Sequence, residues 1–258
     1  MTGEKPRPDS ALVRFLLNTH HVRFFGKRII RTYRTTTDGG MRLMFHTRDG
    51  SERRLLADIV DSHVYERFPM RKGDTVMDVG ANSGIFTVVL SKFVGRGGTV
   101  AAIEPNPSSF NLMKKNLSLN ECENVKPVEG ALGENESTGS LKIYDLSIYN
   151  SLLARNDKVV HHSIAVQIQT LDAVMKDLEL ERLDLLKIDT EGFELPILKG
   201  GMKTITKFRP YVVGEAHSAF SDSGSTITKF LSDVGYRCQV EPLPYEAELF
   251  YTDPGKWT

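Results

Sequence analysis

Short apolar runs alternate along the chain with stretches whose apolar residues recur every three or four positions. The runs fall at Thr75–Val79, 99–103, 183–189 and 211–217. Each is apolar or β-branched almost throughout, as strands covered on both faces should be. Helical spacing separates them. Ile85, Val88, Val89 and Phe93 share one face, as do Phe110, Met113 and Leu117. Leu171, Val174, Met175 and Leu178 form another such stripe after Thr170, and 225–234 reads as a further helix. A third strand region lies at 124–132, strand-like runs at 139–144 and 163–169, and a closing strand pair at 236–240 and 248–251. This alternation predicts an α/β fold with a mostly parallel sheet and helices on both faces.

The first 50 residues read differently. Asp9 and Ser10 could cap a short helix carrying Leu12, Val13, Leu16 and Leu17. The runs 28–35 and 41–47, joined by Thr37-Asp38-Gly39-Gly40, predict a β-hairpin. We therefore expect an extension of helix and hairpin over 1–50, open to substrate or homodimer contacts, and an α/β domain over 51–258. That domain would begin with a helix over 52–68 bearing Leu55, Leu56, Ile59, Val60, His63 and Val64 on one stripe, ended by Pro69.

Composition narrows the function classes. Lys+Arg 33 balances Asp+Glu 33, so net charge does not point to nucleic acid. The basic, aromatic stretch 20–34, with Phe24 and Phe25, could meet an anionic substrate or a membrane surface, although a solvated face is the commoner use of such a segment. Cys122 and Cys238 read as reduced thiols. No apolar run approaches the roughly 20 residues of a membrane span. Arg14 interrupts the only candidate leader-like run, 11–17, and a cytoplasmic location is the expectation.

Candidate chemistry gathers where strands end. Asp78, Gly80, Asn82 and Gly84 form a turn between the first strand and its helix, and Glu104 ends the next strand, followed by Pro105 and Asn106. A glycine turn followed by an acid roughly 20 residues on is the Rossmann arrangement, in which the carboxylate takes the ribose hydroxyls. Asn82 stands where a pyrophosphate-binding turn has its second glycine. A carboxylate and an amide at such a turn suit the sulfonium and ammonium groups of S-adenosylmethionine (SAM) better than they suit NAD. The end of the 124–132 strand region, at Ala131, should lie beside the adenine. Asp189, Glu191, Glu215 and His217 complete an ionisable rim at the ends of the fourth and fifth strands. His217 is the natural base for a hydroxyl or amine acceptor, oriented by Asp189 or Glu215. Asp189 could also hold the cofactor's amine. Glu191, Asn150 and Ser151 are candidates for contacting the acceptor. The same rim could instead take Mg²⁺ or Ca²⁺, but no tight ligand spacing favours a metal.

These pieces resemble the FkbM-type SAM-dependent methyltransferases. The matching segments are 78–84 (DVGANSG), 104–107 (EPNP), 131–133 (ALG), 170–172 (TLD), 184–194 (DLLKIDTEGFE), and Arg209-Pro210 leading into Glu215 and His217. The resemblance implies the Rossmann-like class I methyltransferase sheet of seven strands with a reversed last strand. It also implies cofactor contacts from Gly80, Asn82, Gly84, Glu104 and Asn106. The implied reaction is O-methylation of a sugar, glycolipid, glycan or polyketide-like hydroxyl. N-methylation, an NAD(P)-dependent oxidoreductase and a non-catalytic SAM-binding protein are the alternatives. The broken glycine pattern at Asn82 counts against the oxidoreductase.

Overall fold

The computed structural model describes residues 16–25, 28–36, 42–47, 70–146, 149–154, 159–217, 224–243 and 247–253. The elements, in chain order, begin with three strands, β1 (Leu16–Phe25), β2 (Arg28–Thr36) and β3 (Arg42–Thr47). Next come β4 (Thr75–Val79), α1 (Ile85–Val94), β5 (Thr99–Glu104), α2 (Pro107–Leu119), β6 (Val125–Glu129), β7 (Ala131–Leu132), β8 (Ser137–Ile143) and β9 (His162–Gln169). The remainder is α3 (Leu171–Asp177), β10 (Leu185–Ile188), α4 (Glu194–Lys199), α5 (Met202–Phe208), β11 (Tyr211–His217), α6 (Gly224–Asp233), β12 (Arg237–Pro242) and β13 (Ala247–Asp253).

Seven strands form the central sheet in the order β12-β13-β11-β10-β4-β5-β6. All of its pairings are parallel except the two made by β13, the expected reversed last strand. The chain leaves β4 toward β5 and β6, then returns to β4's other side as β10. In such sheets ligands bind outside the carboxyl ends of the strands at that reversal, here β4 and β10.

Strand alternation explains how both faces are covered. Met77, Val79, Ala101, Ile103, Leu186, Ile188, Val212 and Ala216 share one core with residues of α3, α4, α5 and α6. Val76, Val100, Leu185 and Val213 face the other way, against Phe86, Leu90 and Val94 of α1. Ala102, also on that side, packs with Ile85 and Val88 of α1 and with Phe110 and Met113 of α2. Helix α1 is thus buried on more of its circumference than one stripe predicts: Phe86 and Leu90 are buried, while Val89 and Phe93 are only half-buried.

Runs 139–144 and 163–169 become β8 and β9, which with β7 form a separate three-stranded sheet, order β7-β9-β8. The expected hairpin is present as antiparallel β2 and β3. Leu16 and Leu17, expected on a helix, instead open β1, which pairs with β2. The rest of that expected helix, and the one over 52–68, lie outside the described residues. Strand β3 is seated on the larger unit. Leu43 and Phe45 enter the α1–α2 core. Asn116 and Asn120, one turn apart on α2, grip its backbone: their Oδ1 atoms accept from His46 N (2.7 Å) and Met44 N (2.9 Å), and their amides donate back to the same residues' carbonyls. Side-chain amides there take the place of a further strand at the sheet edge. Among the described residues, no helix is long and apolar enough to cross a membrane.

Candidate active site

The turn after β4 is built for close approach. Gly80 and Gly84 have φ of +82° and +76°, and Asn82, not a glycine, sits at +50°. A Cβ on Gly80 would lie 1.9 Å from the carbonyl oxygen of Asp189, so the β4 turn and the end of β10 touch through backbone. At Gly84 a Cβ would meet Met113 of α2 at 2.6 Å.

Glu104 joins this turn to the next. Its Oε2 accepts from Asn82 N and its Oε1 from Asn106 N, both at 2.8 Å. The carboxylate therefore fixes two loops into one wall. Asn106 also caps α2: its Oδ1 accepts from Ser108 N at 2.9 Å, with Pro107 at the first helical position. Pro105 lies half-buried between these two anchors. Ala131 starts β7, and the bond from Gly130 N to Glu104 O (3.2 Å) draws the start of that strand to the end of β5.

Asp78 departs from the sequence reading. Expected to face the cofactor, it is fully buried against α1. Its Oδ2 accepts from Thr87 Oγ1 at 2.7 Å, and its Oδ1 is 3.1 Å from Lys187 Nζ. The cause is register: β4 and β10 pair Asp78 with Lys187 side by side on one face. A carboxylate so placed must have a countercharge, and Lys187 supplies it from within.

The acceptor side is assembled at the ends of β10 and β11. His217 Nε2 lies 3.4 Å from Asp189 Oδ1 and 3.6 Å from Glu191 Oε1. Burial alone would lower the pKa of His217. The hydrogen bond to Asp189 and the charges of Glu191, Asp189 and Glu194 outweigh it and push the value up to about 9. Desolvation of the half-buried Asp189 would raise its pKa, but Lys187 and His217 hold it below the usual carboxylate range. At neutral pH the pair is an ion pair, so His217 is not the ready, uncharged base that its position alone suggested.

Glu191 is held in a left-handed conformation, φ +55°, followed by Gly192 at +97°. Glu194 enforces that turn: its fully buried carboxyl accepts from Thr190 N, Thr190 Oγ1 and Gly192 N at 3.0–3.1 Å. Ser151 secures the same turn from the other side, its Oγ donating to Glu191 O at 2.6 Å. Ser151 is buried and Asn150 Oδ1 accepts from Tyr144 N (3.1 Å), so both expected acceptor contacts are engaged within the protein.

Lys187, Thr87 and Glu194 are the participants that sequence reasoning did not single out. A signal for Lys187 existed: it is a lone cation inside an apolar buried strand, as Asp78 is a lone anion in the neighbouring one. Glu194 closes the quoted D-x-E-G-x-E segment, but its role as a clamp depends on a turn that periodicity does not reveal.

The donor atoms fit an adenosyl sulfonium. Asn82 Oδ1 and Ser83 Oγ are buried on the turn with no hydrogen-bond partner, and a ligand ammonium would satisfy the first. One donor atom each from Asp189, Glu215 and His217 lies within 4.8 Å of the others, a spacing that a divalent ion could bridge. The Lys187 ammonium, 3.7 Å from Asp189 Oδ2, and the proton on His217 already place positive charge there.

Comparison with known proteins gives the same picture. The methyltransferase FkbM domain model matches residues 78–238, more than half of the chain. Methyltransferase 1 of Beauveria bassiana is 28% identical over 154 residues, covering 53% of this chain and 61% of that protein. The hexuronic acid methyltransferase AglP of Haloferax volcanii is 28% identical over 173 residues, 66% of each chain. The chain thus spans a little under two thirds of the length of these relatives. The crystal structure of methyltransferase FkbM from Methylobacillus flagellatus matches with a TM-score of 0.53 at 18% identity, over 72% of this chain and 45% of that one, a likeness of fold.

Proposed function

The chain belongs to the FkbM methyltransferase family, and from that premise we propose that it transfers a methyl group from SAM to a hydroxyl of a sugar, glycan, glycolipid or polyketide-like product. The observation that carries this reading is the meeting of two half-sites at one end of the sheet. The Asn82–Glu104 wall and the Asp189–His217 pair stand at the carboxyl ends of adjoining strands, joined where Gly80 touches Asp189. One relative, named as a hexuronic acid methyltransferase, favours a sugar-type acceptor.

When bound, SAM supplies the electrophilic methyl carbon. Glu104 would hold the ribose hydroxyls and Asn82 Oδ1 the ammonium, beside the glycine turn. Asp189 and Glu191 hold the proton on His217 Nε2, which leaves Nδ1 to take the proton from the acceptor hydroxyl. With a pKa of about 9, only roughly one His217 in a hundred is neutral at pH 7, so proton removal speeds up as pH rises toward that value. Alignment of the acceptor contributes the rest.

The test is transfer of tritiated methyl from SAM into extracts of the native host, with mass spectrometry of the labelled product. A methyl ether on a hydroxylated acceptor is expected. Label found only on nitrogen, or no label at all, would overturn the reading in favour of N-methylation or of a non-catalytic SAM-binding role.

A further inference from the structure

The Lys187 ammonium lies where the two halves of the site meet. Its side chain is about 5% exposed. It is 3.1 Å from Asp78 Oδ1 on β4, donates to the carbonyl of Gly80 in the glycine turn (3.3 Å), and is 3.7 Å from Asp189 Oδ2 beyond the end of β10. The ring of Phe86, from α1, lies 6.0 Å away on the same side. Three backbone or carboxylate oxygens from two strand ends thus converge on one cation.

We propose that Lys187 is a positioning residue: by binding the Gly80 carbonyl and the Asp189 carboxylate at once, it holds the cofactor turn and the His217–Asp189 pair in a fixed relation. This rests on the reading of that pair as the acceptor-side machinery. The chemistry supports it in three ways. A lysine ammonium has three donors, and three acceptors stand around this one. Asp78, tethered by Thr87, supplies the countercharge that keeps the ammonium protonated in the interior. Asp189 carries side-chain exposure of 25% and would otherwise be free to rotate away from His217 into solvent. In the parallel register Lys187 also lies opposite Val213, two residues before Glu215, whose charge adds to the field on the ammonium.

Removing Lys187 alone leaves Asp78 buried without its partner and endangers folding, so the decisive variant is the charge-neutral double substitution Lys187→Met with Asp78→Asn. Two readouts need no knowledge of the acceptor. One is calorimetric affinity for S-adenosylhomocysteine. The other is the ring pKa of His217 by nitrogen-proton NMR, with His217→Gln assigning the signal among the seven histidines. The proposal expects affinity to fall about tenfold and the His217 pKa to fall toward the ordinary value near 6.5, because Asp189 no longer stays in place. Simple loss of a nearby cation in the single Lys187→Met variant would instead raise that pKa. Affinity within twofold of the parent, an unmoved or raised His217 titration in the double variant, or movement of one readout without the other would overturn the proposal. A parent protein that fails to bind S-adenosylhomocysteine would defeat the methyltransferase reading instead, so the two failures are separable.

Discussion

Around the β4 turn the walls of the site are backbone; around the ends of β10 and β11 they are charged side chains. The first half is shaped by Gly80, Gly84 and the two N–H groups that Glu104 gathers. The second depends on Asp189, Glu191 and His217, brought together from two strand ends and a left-handed turn. Backbone walls suit what every member of a reaction class shares, in the proposed function an adenosyl group. Side-chain walls can change while the fold stays, and they set protonation. The two halves should therefore break in different ways.

The largest effect is expected at the backbone half. In Gly80→Ala the new methyl meets the Asp189 carbonyl in a positive-φ conformation, so S-adenosylhomocysteine binding should disappear from calorimetry and the unfolding temperature should fall. Retained binding would mean that the turn relaxes without consequence. At the side-chain half, His217→Gln should lower methyl transfer by about 10²–10⁴-fold, yet leave cofactor affinity within a factor of two. Equal losses in both would dissolve the division between halves. Glu104→Ala should weaken S-adenosylhomocysteine binding by tenfold or more, since hydrogen bonds to a charged group contribute about 1.5–3 kcal/mol each, while the His217 titration stays in place.

A smaller effect concerns stability against pH. The folded pKa of His217, about 9, lies above its unfolded value. The stabilisation is complete below about pH 6.5 and is lost as pH rises through 9, amounting to at most ~3 kcal/mol. Asp189, whose pKa is depressed, contributes the complementary loss as pH falls below about 4. Urea unfolding of the parent should weaken between pH 6.5 and 9.5, and His217→Gln should flatten that slope. The smallest expected effect is that of a chelator: with Lys187 and protonated His217 already countering the carboxylates, EDTA should leave methyl transfer unchanged. Loss of activity, restored by Mg²⁺, would assign the rim to a metal.

The contrast also explains what could be read from the residues alone. The glycine turn, the acid at the end of β5 and Asn106 after it are local features, each specified within a few residues, and the structure brings them together through the Glu104 carboxylate. The mostly parallel sheet with its reversed last strand followed from the alternation of apolar runs and the resemblance. Asp78 was misjudged because its direction depends on which residue of β10 stands beside it, a register that no local pattern encodes. The charge on His217 was hidden for a similar reason. Position suggested a base, but the pKa depends on Asp189, Glu191 and Glu194 converging in space. Ser151 looked like an acceptor contact until the fold turned its hydroxyl onto the Glu191 carbonyl.

The most direct test of the central claim is a calorimetric titration of S-adenosylhomocysteine into the parent protein and into Asn82→Ala, with NADH as the control ligand. One adenosyl site should bind S-adenosylhomocysteine, weaken at least several-fold when the unpartnered Asn82 Oδ1 is removed, and give no heat with NADH. Equal affinity in parent and variant, or binding of NADH alone, would contradict the claim that the β4 turn and Glu104 hold an adenosyl sulfonium.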